Sequence, residues 1–488
     1  MATSSRKTRK AKVAAPANRP IVVAPATAVH ARYEAAMLDR QNQRNWEFAD
    51  ALSADAALSA DVRHRIINRA RYEAANNGYL DGILSTLSAD VVGTGPRLQL
   101  SAGDNATVEQ ERAMDARERR FSVWAKSILL THKLRVARRA KAIDGECFLV
   151  KHDNPKVRNE CKLDVELYEA EQVGSPFGAS TEIHRNGEPR EVDGIVYDSM
   201  GNPTSYRFWL THPGSDTAGN QSHLRNAASV IHYANIVRPG QHRGVSEIAS
   251  TLTLYNDIRR YRKAVVASAE VAADMSFLLK TTNPPVDENG ETVQQHLEPG
   301  SIIEIARNQG MSLPEGWDVQ QLKPEQPTET FAEFLRTQIR EAARSLSMPL
   351  NVALGDSSQY NYASGRLDHQ TYYRRIRDDR EHIETVILSD LLAEWEAWDS
   401  IYHGEDYGFD TSAEWMWDGF AHVDPAKEAN ALVTRLASGT TTLAIECAKE
   451  GRDWKAVMIQ RAREKALSDL FGLSSAEEPA KSGEEENV

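Results

Sequence analysis

Cysteine is scarce: Cys147, Cys161 and Cys447 are the three in 488 residues. They lie far apart and form no CxxC pair, which argues against a disulfide framework or a cysteine zinc site. Long hydrophobic runs are missing as well. The most apolar stretch, KAVVASAEVAADMSFLL, is broken by Glu270 and Asp274, so no span of a bilayer and no membrane partner is expected. The start, MATSSRKTRKAKVAAPANRP, has six basic residues and no acid, but IVV at 21–23 is too short for the apolar part of a signal peptide. A reducing compartment is therefore expected. Excess positive charge is also lacking. The formal net charge is −12, which argues against a tight, non-specific clamp on nucleic acid.

Several chemical signatures are absent. No GxxxxGK[ST] occurs, which excludes a P-loop motor. GTGPRL at 93–98 lacks the third glycine of a dinucleotide fingerprint, and there is neither a GxSxG elbow nor an HExxH pair. No cofactor is implied, and the chain does not read as an enzyme. One pattern loosely echoes a metal-dependent nuclease: Asp153, then Glu160-Cys161-Lys162, where two carboxylates would hold Mg²⁺ and the lysine would position water. A turn followed by a solvent-facing strand explains the same residues.

What is present is a succession of helical and β-type periods, an α+β chain long enough for two or three domains. Residues 1–29 read as a disordered basic tail and 474–488 as a disordered acidic one. From 30 to 89 the period is helical, with Val62, Ile66 and Ala70 on one stripe and Ile83, Leu87 and Val91 on another, separated by NNG at 76–78. Helix continues over 107–143, with Phe121, Trp124, Ile128 and Leu129 apolar. CFLVKH, LDVELYEA, IVYD, SYRFWL and SVIHY then alternate as strands, with a hairpin turn at Gly201-Asn202-Pro203. Apolar residues at Ile248, Leu252, Tyr255, Ile258, Tyr261 and Val265 predict one helix over 245–280, roughly 54 Å long at about 1.5 Å per residue. A small mixed or β module at 281–327 separates it from a second helix ended by Met348-Pro349. A further helix is predicted from Arg366 to Trp398, carrying Ile376, Ile383, Ile387, Leu391 and Trp395. Asp424 with Pro425 predicts a capped start for the C-terminal helices.

Between the last two long helices lies LGDSSQYNYASG, a stretch rich in hydroxyl and amide groups and nearly without charge. A basic cluster follows: Arg374, Arg375, Arg377 and Arg380. It reads either as a solvated face paired with Asp378, Asp379 and Glu381, or as candidate contacts to phosphate or to another subunit.

The order of RARYEAANNGYLDGILSTLSADVVGTGPRLQ, DGECFLV, YDSMGNPTSYRFW, NIVRPGQHRGVSEIA, SSQYNYASGRLDH and TTTLAIECAKEGRDWKAV resembles the lambda-type portal proteins of tailed bacteriophages. The resemblance runs from about 30 to 473. It implies a ring, typically a dodecamer, at one capsid vertex, with an axial channel for DNA packaging and ejection. By position it implies a wing over 30–244, stem helices over 245–280 and 328–349, a clip over 281–327, a tunnel loop over 350–365, a returning wing helix and aromatic patch over 366–424, and a helical crown over 425–473. Ser357, Ser358, Gln359, Tyr360, Asn361, Tyr362 and Ser364 would then face DNA. The implied partners are further copies of the chain, double-stranded DNA in transit, the large terminase subunit, head-completion or adaptor proteins, and the major capsid protein with its scaffold. The implied location is the portal vertex of the virion, after assembly in the host cytoplasm. A smaller head–tail adaptor is the alternative structural reading.

Overall fold

A computed structural model describes residues 49–472 together with Arg44 and Glu47, apart from 102, 104–105, 177–189, 217–218, 220, 275–277, 282–316, 321–329, 359–360, 404–411 and 421–424. Both expected tails and Asp424 lie outside the described residues. The chain divides into two units at Leu52/Ser53, and every element below belongs to the second.

Helices α1 (Ala60–Asn76) and α2 (Gly78–Val92) part at NNG, where the Asn77 side chain accepts from the Tyr79 amide and caps α2. Ile83, Leu87 and Val91 are buried as their spacing predicts. On α1 the expected stripe holds at Ala70 but shifts by one residue before it. Val62 is exposed, and the inward face carries Arg63, Ile67, Ala70 and Ala74, because a buried arginine takes a place that an apolar pattern does not assign. A short strand β1 (Arg97–Ser101) precedes α3 (Val108–Ser127), which opens on a Thr107/Gln110 capping box. Expected as one helix, the next segment breaks at Leu129. That residue has φ of 55°, is 64% exposed, and starts α4 (Leu130–Asp144) in a new direction. No Gly, Pro or Asn marks the break, so the periodicity ran through it and placed Leu129 on the wrong side.

The predicted strands appear where the alternation placed them. β2 (Glu146–Asp153) lies between β3 (Leu163–Tyr168) and a later strand, while β4 (Arg190–Val192), β5 (Ile195–Tyr197), β6 (Pro203–Trp209) and β7 (Ser222–Asn226) form an antiparallel meander. Strand β8 (Val230–Ala234) completes the first sheet in the order β3-β2-β8. The sheets share a second core in which Phe148 meets Tyr206 and Phe208 edge-on. Gly145, with φ of 91°, closes α4 against the 244–246 backbone. A Cβ there would collide with Val245, and one on Gly244 would collide with the Gly145 carbonyl. Two of the quoted motifs, DGECFLV and RPGQHRGVSEIA, thus meet at a pair of glycines.

The first long helix is shorter than predicted. α5 spans Leu252–Asp274 after a 3₁₀ turn at Ala249–Thr251. Residues 245–248 stay out of it because the Val245 amide donates to Asn235 and the Glu247 amide to Ala142. At the far end, Leu278–Thr281 is a strand, β9, paired antiparallel with β10 (Trp317–Gln320), so 278–280 belong to the intervening module and not to the helix. The rest of that module lies outside the described residues. Helix α6 (Phe331–Arg344) ends before Ser347, which has φ of 54°. A short helix α7 (Leu350–Leu354) follows, then α8 (Tyr362–Ile383), which begins four residues ahead of the expected Arg366. A π turn at Glu384–Leu388 joins α8 to α9 (Ser389–His403), and Ile376, Ile383, Ile387, Leu391 and Trp395 form its buried stripe. Trp395 packs on Phe121 and Trp124 in the main core. β11 (Ser412–Met416) pairs with β1, Leu98 opposite Trp415. This pairing links segments more than 300 residues apart, and neither strand was read from the sequence. The chain closes with α10 (Pro425–Ala437), α11 (Leu443–Lys449, capped by Thr442) and α12 (Trp454–Phe471, capped by Asp453).

Candidate functional site

The hydroxyl- and amide-rich stretch narrows to 355–361. Gly355, with φ of 66°, ends α7 in the left-handed conformation. Asp356 takes the Ser358 amide at 2.9 Å and pairs with Arg336 of α6 at 2.5 Å. The Asp356 amide returns to the Asn351 carbonyl, and the Asn351 side chain meets His369 of α8 at 3.2 Å. Ser358 first, through its amide, and then Arg336 hold the Asp356 carboxyl below its ordinary pKa. Ser357, Ser358 and Asn361 are exposed. Gln359 and Tyr360 lie outside the described residues. Tyr362 and Ser364 fall in the first turn of α8, which the Gly365 amide closes onto the Asn361 carbonyl at 2.9 Å. The base of the loop is therefore tied to α6 and α8, while its described tip presents neutral polar side chains.

The four arginines separate. Arg380 is buried and donates to the carbonyls of Asp90, Val91 and Asp418, while its guanidinium lies over Trp417 and Phe420. Arg375 pairs with Glu247 at 3.0 Å and Asp379 at 3.4 Å. Arg374 and Arg377 are exposed, with Arg377 6.0 Å from the Phe420 ring.

Behind Arg375 lies a buried charge cluster of which the sequence reading named only Arg375 and its partner Asp379. Arg138 of α4 bridges Glu247 at 3.0 Å and Asp379 at 2.7 Å. Lys141, one turn on, reaches His382 Nδ1 at 2.8 Å and sits over the Tyr233 ring. Burial pushes Asp379 up, but Arg138, Arg375 and Lys141 outweigh it and hold the carboxyl below its ordinary range. Burial, then Lys141, lowers His382 to about 4, and burial lowers Lys141 to about 8. The signal was legible in part: Arg138 and Lys141 continue the Leu134 stripe at helical spacing, which places charge on the inner face of α4. The cluster fixes the approach to α5 against α8, the helix that emerges from the loop.

A second buried network locks the sheets. Arg243 binds Glu146 at 2.6 Å and the carbonyls of Ala170 and Val173, and Arg63 binds Asp193 at 2.7 Å. Glu146 also accepts from the Gly244 amide and from His232 at 2.8 Å. Although burial opposes it, Arg243, His232 and Arg63 draw the Glu146 pKa far below that of a free carboxylate.

The acid pattern at 153–162 does not converge. The Lys162 ammonium donates to the Val157 carbonyl at 2.9 Å, and Glu160 points to His403 at 3.3 Å. Among the described residues one trio with metal-ligand chemistry comes together, Glu169, Glu171 and His212. The Arg71 guanidinium already supplies a cation there, at 3.1 Å from Glu169 and 2.8 Å from Glu171. No described helix is long and apolar enough to cross a membrane.

A family model described as phage portal protein, lambda family, matches residues 39–380. A curated "Probable portal protein" of Halomonas phage phiHAP-1 is 23% identical over 286 residues, 53% of this chain and 52% of that one, so the match spans about half of that relative. Among solved structures, a chain of a native gene transfer agent virion is 15% identical with a TM-score of 0.44, covering 79% of this chain and 93% of that one. A chain from the neck of the native gene transfer agent particle, computed with C12 symmetry, is 14% identical with a TM-score of 0.40, covering 78% and 92%. An HK97-family phage portal protein from Corynebacterium diphtheriae is 13% identical with a TM-score of 0.27, covering 62% and 85%.

Proposed function

The chain belongs to the lambda family of phage portal proteins, and from that premise we propose that it assembles head-to-tail into a closed ring, a dodecamer, at one capsid vertex, where double-stranded DNA passes through the axial channel during packaging and ejection. The observation that carries this reading is the extent of the family match, which runs from the N-terminal helices through α5, α6 and the loop into α8. In this assignment α5 and α6 are the stem, the module between them is the clip that docks terminase and then head-completion proteins, and α10–α12 are the crown.

The loop is the part that touches DNA in transit. Ser357, Ser358, Gln359, Asn361 and Ser364 offer short-lived or water-mediated hydrogen bonds to phosphate oxygens, and Tyr360 and Tyr362 narrow the bore. Lysines in these positions would grip the backbone by counterion release and oppose sliding. The net charge of −12 per subunit favours an acidic bore that repels phosphate. Arg374 and Arg377, exposed on α8, are the members of the basic cluster left for phosphate or a neighbouring subunit.

The test is a photo-reactive side chain at position 358 in DNA-filled particles. The proposal expects cross-links to DNA that disappear once the genome is ejected. Cross-links confined to protein in filled and empty particles alike would contradict it.

A further inference from the structure

The buried charges between α4, β8 and α8 do not balance. Arg138, Lys141 and Arg375 are three cations, and Glu247 and Asp379 are the two carboxylates that face them. His382 does not change the sum, because burial and then Lys141 keep its ring neutral above about pH 4. Burial pulls Lys141 down to about 8, which leaves it mostly charged at neutral pH.

Unpaired donors lie in the same place. Arg138 is wholly buried, and its Nη2 serves both Glu247 at 3.0 Å and Asp379 at 2.7 Å. Its Nε and Nη1 meet no acceptor among the described residues, and neither does the wholly buried Tyr233 hydroxyl. Lys141, one turn along α4 from Arg138, lies 4.7 Å from the Tyr233 ring centre and 3.7 Å from the Asp379 carboxylate that Arg138 binds. Burial pushes the Tyr233 hydroxyl up, and Arg138 is the first charge to oppose that rise. Buried donors are nearly always paired, and a buried charge without a counter-charge is costly. A water molecule would satisfy the donors and leave the extra charge. A small anion answers both, and an excess of one cation selects a monovalent one.

We propose that the junction of α4, β8 and α8 binds one monovalent anion of chloride size, held by the Arg138 guanidinium and the Tyr233 hydroxyl. Arg375, whose side chain is 32% exposed, borders the cluster and leaves solvent one side chain away. The site lies within a single subunit and does not rest on the ring reading. Its occupant would help fasten α8 to α4 and β8.

The test uses the full chain and its Tyr233→Phe form, which keeps the ring beneath Lys141 and removes one donor. Crystals of the parent grown in sodium bromide are read for anomalous scattering at the bromine edge. Thermal unfolding of both forms is followed in sodium chloride and in sodium gluconate at equal ionic strength, since gluconate is too large for the site. The expected results are a bromide peak between Arg138 and Tyr233, and a parent midpoint that climbs with the logarithm of chloride concentration but not with gluconate. In Tyr233→Phe the difference between the two salts shrinks. Density at that position without anomalous signal, an ordered water, overturns the proposal, and so do equal parent midpoints in the two salts. A bromide peak with the same salt difference in parent and variant means an adventitious ion only and overturns it as well. If the variant does not fold, the two parent readings decide by themselves.

Discussion

Arg336 of α6 and Asp356 at the base of the loop meet at 2.5 Å, and this pair fastens the loop to the second long helix. Both side chains are partly open to water, so the pair sets position more than it adds stability. Replacing Asp356 with Asn should leave the unfolding midpoint nearly unchanged while amides at 357–361 exchange faster. A large fall in Tm with unchanged loop exchange would show the pair to be a fold element instead.

The arginines of α8 should behave unequally. Arg380→Ala removes a charged donor from three carbonyls and should cost at least about 2 kcal/mol of folding stability in chemical denaturation. Arg374→Ala, at an exposed position, should stay within about 0.5 kcal/mol of the parent. Equal effects would contradict the separation drawn here. If Arg374 meets phosphate or a neighbour, its loss appears in packaging or ring assembly and not in monomer stability.

His382 gives a pH signature. In the folded chain it protonates only near pH 4, against 6.5 for an ordinary histidine, because burial and Lys141 disfavour its charge. As pH falls, the unfolded chain takes up this proton first. The contribution to stability is intact above about 6.5, declines towards about 4, and does not change further below that. His382→Asn keeps an acceptor for Lys141 and removes the titration. Its unfolding midpoint should therefore depend less on pH between 4 and 6.5 than that of the parent, and parallel profiles would contradict this.

The loop tyrosines supply the functional prediction. Tyr360→Ala with Tyr362→Ala should leave assembly unaffected while changing packaging rate or retention of packaged DNA, read as nuclease-protected DNA per particle. Adding Lys at 357 and 358 should slow transit in a salt-dependent way. Failure of assembly in the tyrosine variant would make the loop structural.

Sequence and structure agree where one physical signal dominates. Strands β2, β3, β5, β6 and β8 follow their alternation, though β4 and β7 were not read from it, and the α8–α9 stripe from Ile376 to Trp395 follows its period. They part where tertiary bonds override local pattern. Leu129 turns left-handed without a breaker residue, Val245 and Glu247 give their amides to the Asn235 and Ala142 carbonyls, and Arg63, Arg138 and Arg243 enter cores as paired charges. Pairing of β1 with β11 depends on a contact more than 300 residues away that no window of sequence contains. The loop was legible by composition. Its helical first part, α7, and the early start of α8 were not, since Gly355 alone separates helix from loop there.

The most direct test of the account is the native mass of the purified full-length chain, joined to end-on particle images. At 54.3 kDa per subunit, the account predicts a ring of about twelve copies with a central hole. A chain that stays monomeric or dimeric across salt conditions, and with scaffold and procapsid partners added, would contradict it.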